Sequence, residues 1–416
     1  MKSGERLSLQ IERPAVGGRM IARHDGAIVF VAGAIPGETV EAEIEKVQKG
    51  VAWATTRRVL EASADRITDA ADGACGGCVM NHIRYERQLA IKAAIIEDAF
   101  RRQGRLTLEA PVEVVPSPQD GYRMRARLHV RDGRIGFFRE GTHELCAAAP
   151  TRQLQPAALA AMHTLEQALG TLERETVTEI ELAENIDGSL RACHFELARD
   201  ADPSRLATLT NVAGLTGASY AHEHQSRTRD LWGSPYVSDT IAGATLTRHA
   251  RAFFQGNRFL VEPLVRHVLT QITEGPVLDL YAGVGLFSVA AAVAERGAVV
   301  AVEGDAVSAA DLRKNAQPCG DAVEVRTESV EGYLARSHAG PATIVLDPPR
   351  TGLSREALTG VVALRAPRMV YVSCDIATLA RDARLMIDAG YTISHTRAFD
   401  LFPDTAHVET VTSFSR

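Results

Sequence analysis

The chain has 416 residues, 45% of them hydrophobic and 24% charged, with a formal net charge of -6. That length exceeds one ordinary core and points to two or three domains of a soluble globular protein. Net acidity excludes a uniformly basic nucleic-acid binder, so any RNA contact must come from a local basic surface. The N-terminal MKSGERLSLQIERP lacks the apolar core of a signal peptide. The most apolar stretch, Leu280 to Ala294, is about 15 residues, short of a comfortable bilayer span. No membrane partner is expected, and the cytoplasm is the expected location. The cysteines should therefore be thiols, metal ligands or nucleophiles rather than disulfides.

Residues 7–60 read as short strands separated by Gly or Asp-Gly turns: LSLQIER, GGRMIARHDGAIVFVAG, ETVEAEIEKVQKG and VAWATTRRVLE. This spacing predicts a small β-barrel. Such barrels often bind single-stranded nucleic acid, which is an analogy of fold alone. The second region, about 61–248, opens with Cys75-Gly-Gly-Cys78, passes into a helix predicted over Tyr85 to Gln103, and continues in β-rich segments such as YRMRARLHVRDGRIGFF. Between Tyr122 and Arg139 lie six arginines and one aspartate, interleaved with Tyr122, Phe137 and Phe138. Arginine forks suit phosphate and aromatic faces suit bases; the plainer alternative is a solvated sheet face. The third region, about 249–416, alternates strand and helix signals and argues a parallel α/β sheet.

Pro276-VLDLYAGVGLFSVAAAVA is an apolar strand, a Gly-rich turn and an Ala-rich helix. Gly283 and Gly285 let the backbone turn tightly and approach a ligand. Twenty residues after Gly283, the strand AVVAVEG brings Glu303, a carboxylate suited to both ribose hydroxyls of an adenosine ligand. The pairing fits NAD as well as S-adenosylmethionine, and an unliganded strand-helix corner is the bland reading. Ser288 in place of the third glycine, and Asp279 ahead of the loop, favour the sulfonium cofactor with its cationic methionine end.

ATIVLDPPR ends a strand in Asp347-Pro348-Pro349-Arg350, at the carboxyl edge where ligands bind in open α/β sheets. Asp347 could accept a hydrogen bond from a base or from the cofactor. RMVYVSCDIATLARD delivers Cys374 to the same edge, before a helix whose dipole should depress its pKa. A lone cysteine is more often core filler, but this register beside Asp347 makes it a candidate nucleophile. AFDLFPDTAHVETVTSF carries His407 and Glu409. Taken alone, Glu409 reads as a solvent-facing residue on a strand.

Together these stretches resemble the TrmA/RumA family of RNA uracil-5-methyltransferases. The matches occur in family order: FFQGN (Phe253 to Asn257), DLYAGVGLFS, the VEG ending at Gly304, LDPPRTGL, YVSCDIATLARD and HVETV. At the N-terminus, GGRMIAR and VAGAIPGETVEAEI resemble the TRAM barrel of many members. The resemblance implies an α/β chain in three parts: a TRAM-like, OB-like barrel (1–60), a central α+β domain (61–248) and a Rossmann-like methyltransferase domain (249–416). It implies Cys374 as the nucleophile that adds to C6 of uracil and Glu409 as the base that removes the C5 proton. S-adenosylmethionine would be held by Gln255, Tyr281, Gly283, Gly285, Glu303 and Asp347. The target base must leave its stack. A ribosomal RNA substrate is favoured over transfer RNA on subgroup resemblance, and a monomer is the simplest expectation.

ACGGCVMNH resembles the iron-sulfur segment of the subgroup that includes RumA, which implies a 4Fe-4S cluster on Cys75, Cys78 and Cys146, with Asp69 at the remaining cysteine position. A carboxylate can replace one thiolate on iron; a degenerate site and zinc on three thiolates are the alternatives. Cys193 and Cys319 match nothing and are expected to be structural. Among rivals, amino-directed methyltransferases share Asp-Pro-Pro but need no thiol, and cytosine-5 enzymes carry their cysteine in other local sequences. A non-catalytic RNA-binding module is disfavoured by the intact Gly283, Gly285, Glu303, Asp347, Cys374 and Glu409.

Overall fold

The structure, a computed structural model, describes residues 1–68, 73–172, 176–225, 227–337 and 340–416. Strands β1 (Arg6–Pro14), β2 (Met20–His24), β3 (Ala27–Ala32), β4 (Thr39–Gln48) and β5 (Val51–Glu61) close into a barrel in the order β1-β2-β3-β5-β4. Alternation drives the closure: Leu9, Val29, Val31, Val40 and Ile44 point inward and are at most 1% exposed. Asp25 and Gly26, both at positive φ, make the tight β2–β3 turn that two central residues of this kind favour.

The helical stretch expected over Tyr85 to Gln103 is present, with a change of winding near its end. α1 (Tyr85–Ala99) passes into a π-helical turn over Phe100–Gly104, and Arg105 closes it in the left-handed region. β6 (Glu113–Val115), which lies in the stretch expected for the middle region, instead joins the edge of the C-terminal sheet.

The middle sheet contains β7 (Arg125–Arg131), β8 (Arg134–Phe138), β9 (Leu145–Cys146), β10 (Val177–Glu184), β11 (Arg191–Leu197), β12 (Gly217–His222) and β13 (Arg229–Gly233), in the order β13-β12-β11-β10-β7-β8-β9. α2 (Pro156–Leu169) buries Ala158, Ala161, Met162, Leu165 and Leu169 in the same core. A hairpin of β14 (Tyr236–Ile241) and β15 (Ala244–His249) follows. Arg248 of the hairpin ties it to the sheet by donating to the Glu184 carbonyl at 2.6 Å, while buried ion pairs surround that bond: Glu184 accepts from Arg191 and Arg258, and Asp239 from Arg248. Each of these buried charges has a partner, which is what makes its burial tolerable.

The C-terminal part runs α3 (Val261–Gln271), β16 (Val277–Leu280), α4 (Leu286–Val293), β17 (Val299–Val302), α5 (Ala306–Ala316), β18 (Val323–Arg326), α6 (Val330–Leu334), β19 (Thr343–Leu346), α7 (Arg355–Ala363), β20 (Arg368–Ser373), α8 (Ile376–Asp388), β21 (Thr392–Phe399) and β22 (Glu409–Ser415). Its sheet order is β18-β17-β16-β19-β20-β22-β21-β6. β16 to β20 are parallel to their neighbours among themselves, and β16, β17, β19 and β20 read as short, mostly apolar, buried runs, as strands covered on both faces do. The order reverses between β16 and β19, the crevice where such sheets bind ligands. Among the described residues no helix is long and apolar enough to cross a membrane.

Candidate active site

Strand register builds the site. Leu280 is paired with Val302 on one side and Leu346 on the other. The next residue of each strand, Tyr281, Glu303 and Asp347, therefore emerges in one row at the carboxyl edge. β22 enters antiparallel between β20 and β21, with Ser373 opposite Thr410. Cys374, one step beyond Ser373, thus meets Glu409, one step before Thr410.

The Gly-rich turn is shaped for a ligand. Tyr281, Gly283 and Gly285 all have positive φ. A Cβ at Gly285 would lie 2.8 Å from Leu312 and Val289, whereas one at Gly283 would meet nothing within 4 Å. Gly285 is thus set by packing, while Gly283 faces open space. Glu303 is held in place: one carboxylate oxygen accepts from the Gly283 amide at 2.8 Å, the other from the Asp305 amide at 2.6 Å. Gln255, 4% exposed, donates to Asp347 at 3.4 Å. These residues would hold S-adenosylmethionine, and they fit it. Asp279 is fully buried, and among the described residues neither of its carboxylate oxygens has a hydrogen-bond partner. Its pKa is pushed up to about 8 by burial first, then by the charge of Asp347. Such an orphaned acid invites a cationic ligand.

Two expectations are corrected at the nucleophile. Glu409 does not face solvent: it is 3% exposed, and burial together with the Asp347 charge pushes its pKa well up. Cys374 has no depressed pKa: burial and the Glu409 charge push it up to about 12, against the opposing pull of Arg350. The helix behind Cys374 is already capped by an anion, since Asp375 accepts from the Thr378 amide at 2.9 Å. Little of the helix dipole is left for the thiol.

The segment between β21 and β22 is anchored by residues that went unnoticed in the sequence. Lys92 and Asp400, both fully buried, form an ion pair that Tyr85 joins by donating to Asp400 at 2.9 Å. Gln88 donates to Asp404 at 2.8 Å, and Asp404 accepts the Met80 amide at 2.8 Å through its carbonyl. Polar Gln88 and Lys92, spaced i, i+4 on the apolar face of α1, were the available signal. Arg350 and Phe253 stand inside the LDPPRTGL and FFQGN stretches with no sequence signal that singles them out. Phe253 is 59% exposed, with the Arg125 guanidinium 5.4 Å from its ring centre. Cys374 opens onto a cavity of about 160 Å³ whose walls include Val16, Gly17, Gly76, Val79 and His407. All three parts of the chain therefore meet at the nucleophile.

The arginine row on β7 is less free than its sequence suggests. Arg125 and Arg127 reach Glu181 at 3.0 and 2.7 Å, and His129 reaches Glu179 at 3.2 Å. The cysteines also differ from expectation. Cys75 and Cys146 are joined as a disulfide, with Cys78 buried outside that bond. Asp69 lies outside the described residues. Among the described residues no three His, Cys, Asp or Glu side chains are placed to hold a metal ion. Bonded to each other, Cys75 and Cys146 offer no thiolates to iron, so in this oxidised form the residues do not fit a cluster.

The fold and the site together define a Rossmann-like methyltransferase with a cysteine at its catalytic edge. The TRAM domain matches residues 2–56, and the tRNA (Uracil-5-)-methyltransferase family matches residues 331–416. The chain is 32% identical, over 99% of its length and 94% of the relative's, to the 23S rRNA (uracil(1939)-C(5))-methyltransferase RlmD of Pseudomonas aeruginosa. It is 30% identical to the protein of the same name from Photorhabdus laumondii, over 96% of this chain and 94% of that one. The crystal structure of Pyrococcus abyssi tRNA (uracil-54, C5)-methyltransferase with S-adenosyl-L-homocysteine superposes with a TM-score of 0.79 at 23% identity, covering 98% of this chain and 99% of that one. The chain belongs to the S-adenosylmethionine-dependent RNA uracil-5-methyltransferase family.

Proposed function

We propose that this protein methylates carbon 5 of a uridine in RNA, with 23S ribosomal RNA as the substrate and transfer RNA as the alternative. The observation that carries the proposal is the juxtaposition of Cys374 and Glu409 beside Asp347 at one sheet edge. The names of the relatives at 30–32% identity favour ribosomal RNA. We further propose that it acts as a monomer in the cytoplasm.

C5 of uracil is a weak nucleophile until something adds to C6. The Cys374 thiolate adds to C6 and drives the electron pair to C5 as an enolate. S-adenosylmethionine, when bound, would supply the electrophilic methyl group to C5, its S–CH3 bond breaking to leave the neutral thioether. Glu409 then accepts the C5 proton, and the returning electron pair expels Cys374 as thiolate. A carboxylate whose pKa is raised by burial is the stronger proton acceptor once ionised. Gln255 and Glu303 orient the cofactor's methionine and ribose ends, and Gly283 allows its close approach. Tyr281 contacts the cofactor beside them.

For the cysteine corner we propose that the reduced chain carries an iron-sulfur cluster on Cys75, Cys78 and Cys146, with Asp69 as the fourth ligand. The support is the direct contact of Cys75 with Cys146 and the tight turn that follows Cys75, in which the Cys78 amide donates to the Cys75 carbonyl at 2.9 Å. No catalytic step depends on it.

The test uses S-adenosylmethionine and 5-fluorouridine-substituted RNA. Fluorine cannot leave as a proton does, so a methylated adduct should stall on Cys374 and survive denaturation. An adduct that vanishes in Cys374→Ala establishes base, nucleophile and substrate class together. No adduct with either ribosomal or transfer RNA would put the non-catalytic RNA-binding alternative ahead.

A further inference from the structure

The outer wall of the barrel carries an aromatic surface turned away from the barrel core. β3 and β5 run parallel with Phe30 opposite Trp53, and β4 sets Lys46 opposite Trp53 from the other side. The two rings lie 5.9 Å apart, tilted by 34°, and the Lys46 ammonium stands 4.5 Å from the centre of the Trp53 ring. Strand alternation explains the placement: Val29, Val31, Ala52 and Ala54 fill the interior at 0% exposure, so Phe30 and Trp53 project outward and stay half-buried. The chain has two tryptophans. The other, Trp232, donates its indole N–H to the Leu209 carbonyl at 2.9 Å. Among the described residues the Trp53 indole N–H makes no such bond.

This wall adjoins the catalytic cavity. Arg19, just after the β1–β2 turn, donates to the carbonyl of Ala54, the residue following Trp53, at 3.3 Å. A Cβ on Gly18 would lie 2.8 Å from that of Ala406, so the turn is docked on the segment that carries His407. Val16 and Gly17, from the same turn, line the cavity into which Cys374 opens.

We propose that Phe30, Trp53 and Lys46 form a stacking platform for one unpaired base of the RNA flanking the target uridine, with Lys46 meeting its phosphate. The chemistry is that of single-strand recognition: an outward-facing aromatic surface for any base and a cation for the backbone. Acidic Glu41, Glu43 and Glu45 on β4 are engaged by Arg6, Arg57 and Arg19 and leave the Lys46 end of the strand positive. The inference rests on RNA being the substrate, and it adds the face of the barrel that reads it.

The experiment uses the full chain with Trp232→Phe, so that Trp53 is the remaining tryptophan. Titration with an oligouridylate, and separately with a ribosomal RNA fragment that the enzyme methylates, should quench Trp53 emission in step with binding measured on filters. Trp53→Ala should raise the RNA dissociation constant and KM by roughly 5- to 150-fold, the range of one lost base-aromatic stack. The dissociation constant for S-adenosylmethionine should not change. Lys46→Glu should weaken RNA binding and flatten its salt dependence by about one counterion, which a loss of barrel packing would not do. Unchanged Trp53 emission at saturating RNA, or a wild-type KM in Trp53→Ala, would overturn the platform while methylation by the wild type keeps the enzymatic proposal intact. Failure of the wild type to bind either RNA would overturn both.

Discussion

S-adenosylmethionine binding should release a proton, and its affinity should rise with pH. Asp279 is buried beneath the Gly-rich turn without a hydrogen-bond partner among the described residues, and its pKa of about 8 leaves it protonated at neutrality. A ligand bearing ammonium and sulfonium charges favours the ionised carboxylate. If the bound-state pKa falls to the ordinary carboxylate range, each pH unit below 8 costs about 1.4 kcal/mol of binding. Affinity should then drop about fiftyfold between pH 8 and pH 6. The sign for folding is opposite. The native state keeps this proton where an unfolded aspartate has lost it, so Asp279 stabilises the ligand-free fold at low pH. That contribution is lost as pH rises through the window from the ordinary value of 3.8 to about 8. Calorimetric titration at pH 7 in two buffers of different ionisation enthalpy should show release of roughly nine-tenths of a proton per cofactor bound. Asp279→Asn should abolish the buffer dependence and weaken binding at pH 8. Affinity flat from pH 6 to pH 8, with no buffer-dependent heat, would refute the argument.

Glu409→Gln should let the C6 adduct form and take up methyl but not release it, lowering turnover by about 10²- to 10⁴-fold. It should also speed alkylation of Cys374 by iodoacetamide, because a charge that raises the thiol pKa is gone. Lys92→Met should cost about 3–5 kcal/mol in urea unfolding by leaving Asp400 buried and unpaired, and Asp400→Leu in the same chain should recover most of it. Phe253→Ala should raise the KM for RNA and leave the dissociation constant of the cofactor alone, since this ring is exposed beside Gln255. The unfolded chain should titrate four thiols without reductant and six with it, one disulfide accounting for the difference. Anaerobic loading with iron and sulfide should then give a visible-absorbing cluster in the reduced wild type and not in Cys78→Ser; iron uptake by neither would remove the cluster.

What the sequence made legible is what short-range chemistry dictates. Alternation with tight turns is enough to specify the barrel, and glycines at fixed offsets from an apolar strand are enough to specify a ligand turn. The register of β16, β17 and β19 then follows, because each strand ends in its polar residue at the same level. Features set by distant chain segments were hidden. Glu409 reads as an exposed residue because HVETVTSF looks like a β-strand with one charged side chain, yet β22 is threaded between β20 and β21 and buried along nearly its whole length. The Cys374 pKa follows from the same threading. A helix N-terminus taken alone predicts a depressed thiol, while the carboxylate that β22 delivers and the Asp375 cap act against it. The arginines of β7 look unopposed only until β10, about fifty residues later in sequence, supplies Glu179 and Glu181 across the ladder. That pairing shifts the search for an RNA surface. Cations already held by neighbouring carboxylates contribute less counterion release than free ones, which leaves the outward-facing, half-buried Phe30 and Trp53 beside Lys46 as the stronger footprint on the barrel side of Cys374.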